Sequence, residues 1–212
     1  PVRKTDYWTT MAAAPAAFAE GSGGVYTGDD HIYFLRGNGT NTFYRYSISD
    51  NTWATMTNAP SSFGVSGSLT YTGGDYIYAI EGNTDDIHRY SISGNSWTTL
   101  TPAPVTFDYS AMSVYTGGDY IYAFQGTTYD TFYRYSISGD SWTAMTSTPA
   151  TIGAGADLVY AGGDYIYALR GGSNTFYRYS ITNDSWDTMA AKPGLSVGFG
   201  AGLAYTGGDY LY

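Results

Sequence analysis

Residues 71–97 decide the fold: Tyr71 to Gly82 reads YTGGDYIYAIEG, and Ile87 to Trp97 reads IHRYSISGNSW. Thr72, Gly73, Gly74 and Asp75 predict a tight hairpin turn, because Gly-Gly and Gly-Asp favour the backbone that such turns need. A first strand, a, covers roughly Val65 to Tyr71 and leads into the turn. In strand b, which follows it, Tyr76, Tyr78 and Ile80 point one way while Ile77 and Ala79 point the other. One face is large and the other small. Both are apolar, so the strand is covered on both sides. Strand c, Ile87 to Ile92, continues the alternation, and the polar turn Ser93, Gly94, Asn95 leads to strand d around Trp97 and Leu100. A Pro-containing stretch, Thr101 to Pro104, then breaks the pairing.

The same unit recurs along the chain. Trp8, Trp53, Trp97, Trp142 and Trp186 are spaced 45, 44, 45 and 44 residues apart, and strand b ends in step at Tyr33, Tyr78, Tyr122, Tyr167 and Tyr212. A period this regular marks an array. A small sheet with two apolar faces is unstable alone, and the next copy is its natural cover. Four-stranded sheets packed large face against small face around an axis make a β-propeller; a linear β-solenoid, with shorter rungs and parallel strands, is the rival architecture.

The units resemble kelch repeats, whose hallmark is a Gly or Gly-Gly closing strand b, then an aromatic residue, then a Trp seven residues later. Gly37, Gly82, Gly126 and Gly171 close strand b, and Tyr46, Tyr90, Tyr135 and Tyr179 each stand seven residues before Trp53, Trp97, Trp142 and Trp186. The chain departs from the pattern in two ways. Only Gly171 and Gly172 form the full glycine pair, and Ser47, Ser91, Ser136 and Ser180 replace the acid that usually follows the tyrosine. The resemblance implies an all-β propeller of four-stranded antiparallel blades. Residues 14–58, 59–102, 103–147 and 148–191 are read as four complete blades, and 1–13 with 192–212 as an incomplete fifth formed from both termini. At about 44.5 residues per unit the chain holds about 4.8 units. Strand c of the fifth blade is missing. Either that blade has three strands, or the ring is larger and this chain is part of it, or a neighbouring molecule supplies the strand. A start at Pro1 rather than Met reads as a processed, excised or partial chain.

Composition sets the functional limits. The chain has 212 residues, 18% of them aromatic, a formal charge of -9 and only two Lys and two Glu (Lys4, Lys192, Glu20, Glu81). So few strong helix formers argue against helices, and the burial available in Tyr, Trp and Phe argues against disorder. The acidic balance argues against nucleic acid and anionic lipid as partners. No apolar run is long enough for membrane insertion as a helix. With no Cys there is neither a disulfide framework nor a thiolate metal site. A surface rich in Ser, Thr, Asn, Gly and Tyr predicts an extracellular or cell-surface location. Asn38 and Asn183 open Asn-x-Ser/Thr triplets, which accept glycans in a secretory system.

Near-identical copies weaken the case for catalysis, which needs one asymmetric constellation, so candidate binding residues are sought where copies differ. Before the strand b glycine stand Arg36, Glu81, Gln125 and Arg170; the b–c connections add Asp85, Asp86, Tyr129 and Asp130; the d–a connections add Asp108 and Tyr109. All fall on one face of a propeller, the face of its b–c and d–a connections. The opposite face repeats Asp30, Asp75, Asp119, Asp164 and Asp209. Single carboxylates, one per blade, stand too far apart for one ion, so no metal or other cofactor is expected. His88 replaces a tyrosine found at Tyr44, Tyr133 and Tyr177 and reads as a packing position; with only His31 besides, no catalytic triad is argued. Arg45, Arg89, Arg134 and Arg178 recur identically, which predicts a scaffold role over an aromatic ring of the adjacent blade or beside a turn carboxylate.

The expectation is a non-catalytic extracellular propeller that acts as a binding or assembly module, with a protein or glycan as partner. The alternatives are a structural subunit of a surface filament or layer, polymerised by strand complementation of the incomplete blade, and a glycan-active enzyme on a propeller scaffold.

Overall fold

A computed structural model describes residues 9–64, 67–108, 111–194, 196, 202–208 and 210–212. The turns and short strands of the sequence become four antiparallel sheets, each made of four consecutive strands in chain order. The first holds β1 (Gly23–Tyr26), β2 (His31–Leu35), β3 (Phe43–Ser47) and β4 (Thr52–Thr55); the second holds β5 (Gly67–Tyr71), β6 (Tyr76–Glu81), β7 (Ile87–Ser91) and β8 (Ser96–Thr99). The third holds β9 (Met112–Tyr115), β10 (Tyr120–Phe124), β11 (Phe132–Ser136) and β12 (Ser141–Met145), and the fourth β13 (Asp157–Tyr160), β14 (Tyr165–Leu169), β15 (Phe176–Ser180) and β16 (Ser185–Thr188). Successive sheets meet at their first strands, β1 on β5, β5 on β9 and β9 on β13, so the first strand of each is innermost. This is a β-propeller.

Turn chemistry sets the hairpins. Gly73 and Gly74 sit at φ 86° and 62°, a left-handed backbone open to glycine, and the Tyr71 hydroxyl donates to the Gly74 carbonyl at 3.1 Å to close the turn. Tyr115 and Tyr160 close theirs in the same way on Gly118 and Gly163.

The two faces of strand b pack as their residue sizes predict. Tyr78 and Ile80 of β6 lie in one core with Ile121 and Ala123 of the third sheet, while Ile77 and Ala79 lie in another with Tyr33 and Leu35 of the first. Large residues of one sheet therefore fill the hollow over small residues of the next. The tryptophans fasten the sheets. Nε1–H of Trp53, Trp97, Trp142 and Trp186 donates to the carbonyl of Ala12, Thr57, Thr101 and Thr146 at 2.9–3.2 Å, the last three just past the outer strand of the preceding sheet. The N–H groups of those same four residues donate to Oδ1 of Asn51, Asn95, Asp140 and Asp184, which also accept from Tyr46, Tyr90, Tyr135 and Tyr179.

The arginines differ from expectation in one respect. Arg89, Arg134 and Arg178 do lie over aromatic rings, but over Tyr76, Tyr120 and Tyr165 of their own sheet, at 4.3–4.6 Å. Arg89 pairs with Tyr78 across the ladder, so its side chain shares a face with Tyr76, two residues from Tyr78.

Past the fourth sheet, Tyr205 and Leu211 form an antiparallel bridge, and Ala204 and Tyr212 exchange backbone hydrogen bonds. Asp157 of β13 accepts the Leu203 N–H at 2.7 Å and ties this pair to the fourth sheet. Of residues 1–13, read as part of the fifth blade, 1–8 lie outside the described residues.

Candidate functional site

One face of the propeller is spoken for by the scaffold. Asp30, Asp75, Asp119 and Asp164 each accept a serine hydroxyl on Oδ2, from Ser47, Ser91, Ser136 and Ser180, at 2.5–2.7 Å. Oδ1 accepts a backbone N–H of the same sheet's c–d turn, from Ser49, Ser93, Ser138 and Thr182, at 2.7–2.8 Å. Each carboxylate latches two turns of its own sheet. The serines that stand where kelch repeats carry an acid are the latch donors. Asp209 lies outside the described residues.

The serine hydroxyls first, then the turn N–H groups (at Asp164 the Thr182 side chain and then its N–H), hold all four carboxyls below the ordinary aspartate value of 3.8. Each carboxyl binds its proton less readily folded than unfolded. The latches therefore contribute fully above about pH 3.8 and are lost as pH falls through the lower folded values. The expected result is a melting temperature that drops steeply below about pH 4, and a flatter acid limb when Ser47, Ser91, Ser136 and Ser180 are all replaced by Ala. Calorimetry from pH 6 to pH 2 measures both.

On the opposite face the residues before the strand b glycine act mainly as clamps. Arg36 Nε donates to the Ala17 carbonyl at 3.2 Å, Gln125 Nε2 to Thr106 at 3.0 Å and Arg170 Nε to Thr151 at 2.7 Å, each tying strand b to the incoming d–a connection. Gln125 also accepts from Thr131 Oγ1 at 2.6 Å. Gln125 and Glu81, expected on an exposed contact surface, are 7% and 5% exposed. Asp108 is half-buried and accepts the Thr128 hydroxyl at 2.9 Å, while Tyr109 lies outside the described residues. Asp85, Tyr129 and Asp130 are exposed, Tyr129 to 42%. Asn38 and Asn183 are exposed as well.

Glu81 does not repeat the clamp. It accepts from the Ser61 hydroxyl instead, in a short hydrogen bond, and its Oε2 lies 3.4 Å from His88 Nε2. His88 is 2% exposed and packs edge-on to Phe63, as a packing residue should, but it also carries polar contacts: Nδ1 lies 3.1 Å from Thr99 Oγ1, and Nε2 lies 3.4 Å from Ser61 Oγ. Asp86, half-buried, completes the group; ligand atoms of Glu81, Asp86 and His88 all lie within 4.8 Å of one another. Ser61, His88 and Glu81 do not form a nucleophile relay, because serine and carboxylate both sit at Nε2 whereas a relay needs the acid at Nδ1.

Sequence reasoning named Glu81 and Asp86 but assigned them to a partner-binding surface, and it did not name Ser61. The signal was in the repeat itself. The corresponding residues in the other three units are Ala16, Val105 and Ala150 for Ser61, and Thr42, Thr131 and Thr175 for Asp86.

No family model matches the chain, and no curated protein matches it. Among solved structures, it is similar to the one titled "Structure of YjhT", a propeller, at a TM-score of 0.70 with 14% sequence identity, covering 88% of this chain and 69% of that one. At that identity the likeness is one of fold: sixteen described strands, arranged as propeller blades.

Proposed function

We propose that the chain is a non-catalytic, extracellular, kelch-like binding module that meets a protein or glycan partner on its b–c and d–a face. The observation that carries this reading is the contrast between the faces. One repeats the same carboxylate latch in all four sheets, while the other presents Tyr129 beside the acidic Asp130, with Asp85 exposed in the corresponding connection of the second sheet. An exposed tyrosine beside a carboxylate suits sugar rings, which stack on the ring and donate hydroxyls to the acid, and equally suits a basic protein surface. Among the described residues no helix is long and apolar enough to cross a membrane.

The triple variant Asp85→Asn, Tyr129→Ala, Asp130→Asn is expected to lose at least ten-fold in glycan-array or pull-down signal while its melting temperature stays within about 1 °C of the parent, since surface changes cost little. An undiminished signal from the folded variant refutes the assignment. Glu81 is left out of this test because it is buried.

A second reading, assembly into a filament or layer by strand complementation, draws on the edge of the fourth sheet. Cavities of about 430 and 510 Å³ lie between that sheet and the 202–212 pair, lined by Tyr165, Tyr167, Phe176, Leu169 and Leu211 among others. Ala190 stands where Thr57, Thr101 and Thr146 receive a tryptophan, and among the described residues it receives none. Light scattering and electron microscopy distinguish the readings: ordered polymers support assembly, and a monodisperse monomer counts against it.

A further inference from the structure

We propose that Glu81, Asp86 and His88 bind a divalent transition-metal ion of the zinc class. The argument begins with the repeat. Four positions of the second unit depart together from what the other three carry: Ser61 in place of Ala16, Val105 and Ala150; Glu81 in place of Arg36, Gln125 and Arg170; Asp86 in place of Thr42, Thr131 and Thr175; His88 in place of Tyr44, Tyr133 and Tyr177. These positions span 28 residues, yet the fold brings all four side chains to one place.

The chemistry of the exchange calls for a cation. In the third sheet the corresponding pair is Thr131 and Gln125, and the threonine donates its proton to the amide oxygen at 2.6 Å. In the second sheet that donor–acceptor pair has become Asp86 and Glu81, two carboxylates. Glu81 is 5% exposed, and its one ion-pair partner among the described residues is His88. Two carboxylates crowded in a largely buried place repel one another unless positive charge stands between them. A divalent ion bound by all three groups supplies that charge.

The buried pair has the spacing such an ion needs, and Asp86 offers a ligand atom within 4.8 Å of both. With bonds of about 2.0–2.1 Å, the ligand atoms of a tetrahedral site stand about 3.4 Å apart, and His88 Nε2 lies 3.4 Å from Glu81 Oε2. His88 is oriented from behind: Thr99 Oγ1 lies 3.1 Å from Nδ1, where it can accept the ring proton and leave the Nε2 lone pair to the ion, while the Ser61 hydroxyl donates to Glu81 Oε2 itself and lies 3.4 Å from Nε2. Asp86 is half-buried and gives the ion a way in from solvent. One imidazole and two carboxylates favour zinc and its first-row neighbours over calcium and magnesium, which take six or more oxygens.

The test is titration of the metal-stripped full chain with Zn²⁺ and with Co²⁺, read by calorimetry and by Co²⁺ visible absorption, with no partner present; its outcome is therefore separate from that of the partner-binding proposal. One ion per chain is expected, with a rise in melting temperature on adding Zn²⁺. His88→Tyr and Asp86→Thr restore residues that the other three units already fold around, and each is expected to weaken binding at least 100-fold and to abolish the rise. Ser61→Ala removes only the orienting hydroxyl and is expected to cost about 10–100-fold. His31→Gln, at the exposed His31–Asp29 pair, is expected to leave binding unchanged. The proposal is overturned by failure to bind one ion, by full binding in folded His88→Tyr or Asp86→Thr, by loss of binding in His31→Gln, or by equal competition from Ca²⁺ or Mg²⁺.

Discussion

Phe132→Ala is expected to destabilise the chain by about 4 kcal/mol, the range for emptying a fully buried phenylalanine site. Phe132 is 1% exposed and lies at the seam between the third and fourth sheets. Its ring meets Tyr122 and Phe124 of its own sheet at 5.6 and 4.8 Å between centroids, and Tyr179 and Trp186 of the next at 5.0 and 5.1 Å. Removing it takes the central ring out of a five-ring cluster, and the rigid strands on either side cannot close the gap. For a chain of this length each kcal/mol moves the melting temperature by about 2–4 °C, so calorimetry should record a fall of roughly 10 °C. A loss under about 1 kcal/mol would mean that the aromatic seam does not hold the sheets together.

The second large effect is expected at Gly37, where the cause is backbone rather than burial. Gly37 closes β2 at φ +73°, and a Cβ built there would collide with the backbone of Glu20, Gly21 and Ser22 in the incoming d–a connection. Gly37→Ala therefore combines a left-handed backbone with an overlap that no side-chain rotation relieves. About 2–5 kcal/mol is expected, the sum of the two penalties. Gly28→Ala is the control: its φ is +82° but it has open space around the missing Cβ, so it should cost only about 1–2 kcal/mol. Equal effects at the two sites would show that the close approach at Gly37 carries no weight.

Much of the architecture was open to reading because its determinants are local. Alternation of tyrosine with isoleucine and alanine in β6 specifies which face is large, and the spacing of Trp53 and Trp97 specifies the unit, with no knowledge of tertiary contacts. Residues whose partners come from another part of the unit were harder. Arg89 was expected to reach across to the next sheet, yet Tyr76 of its own sheet stands beside it on the same face. Gln125 and Glu81 read as surface residues because polar side chains before a connection usually are. They are buried because the d–a connection folds back over the end of strand b, a contact visible in the Asp108 N–H to Gln125 carbonyl bond and absent from any sequence window. The same fold-back brings Ser61 to Glu81. Three of the four departures in that unit were noticed, but as unrelated facts, since nothing in the chain order says that residues 61 and 88 touch.

The tryptophan bonds have a direction. Each indole reaches back 40 or 41 residues to grip the trailing end of the unit before it, whereas each aspartate latch stays inside its own sheet. Harm to a latch is thus confined where it occurs, but harm to an indole loosens its predecessor. The molecule has a polarity in how it comes apart: each step of trimming from the carboxyl end strips the unit left last of its keeper, and trimming from the amino end leaves every later grip intact.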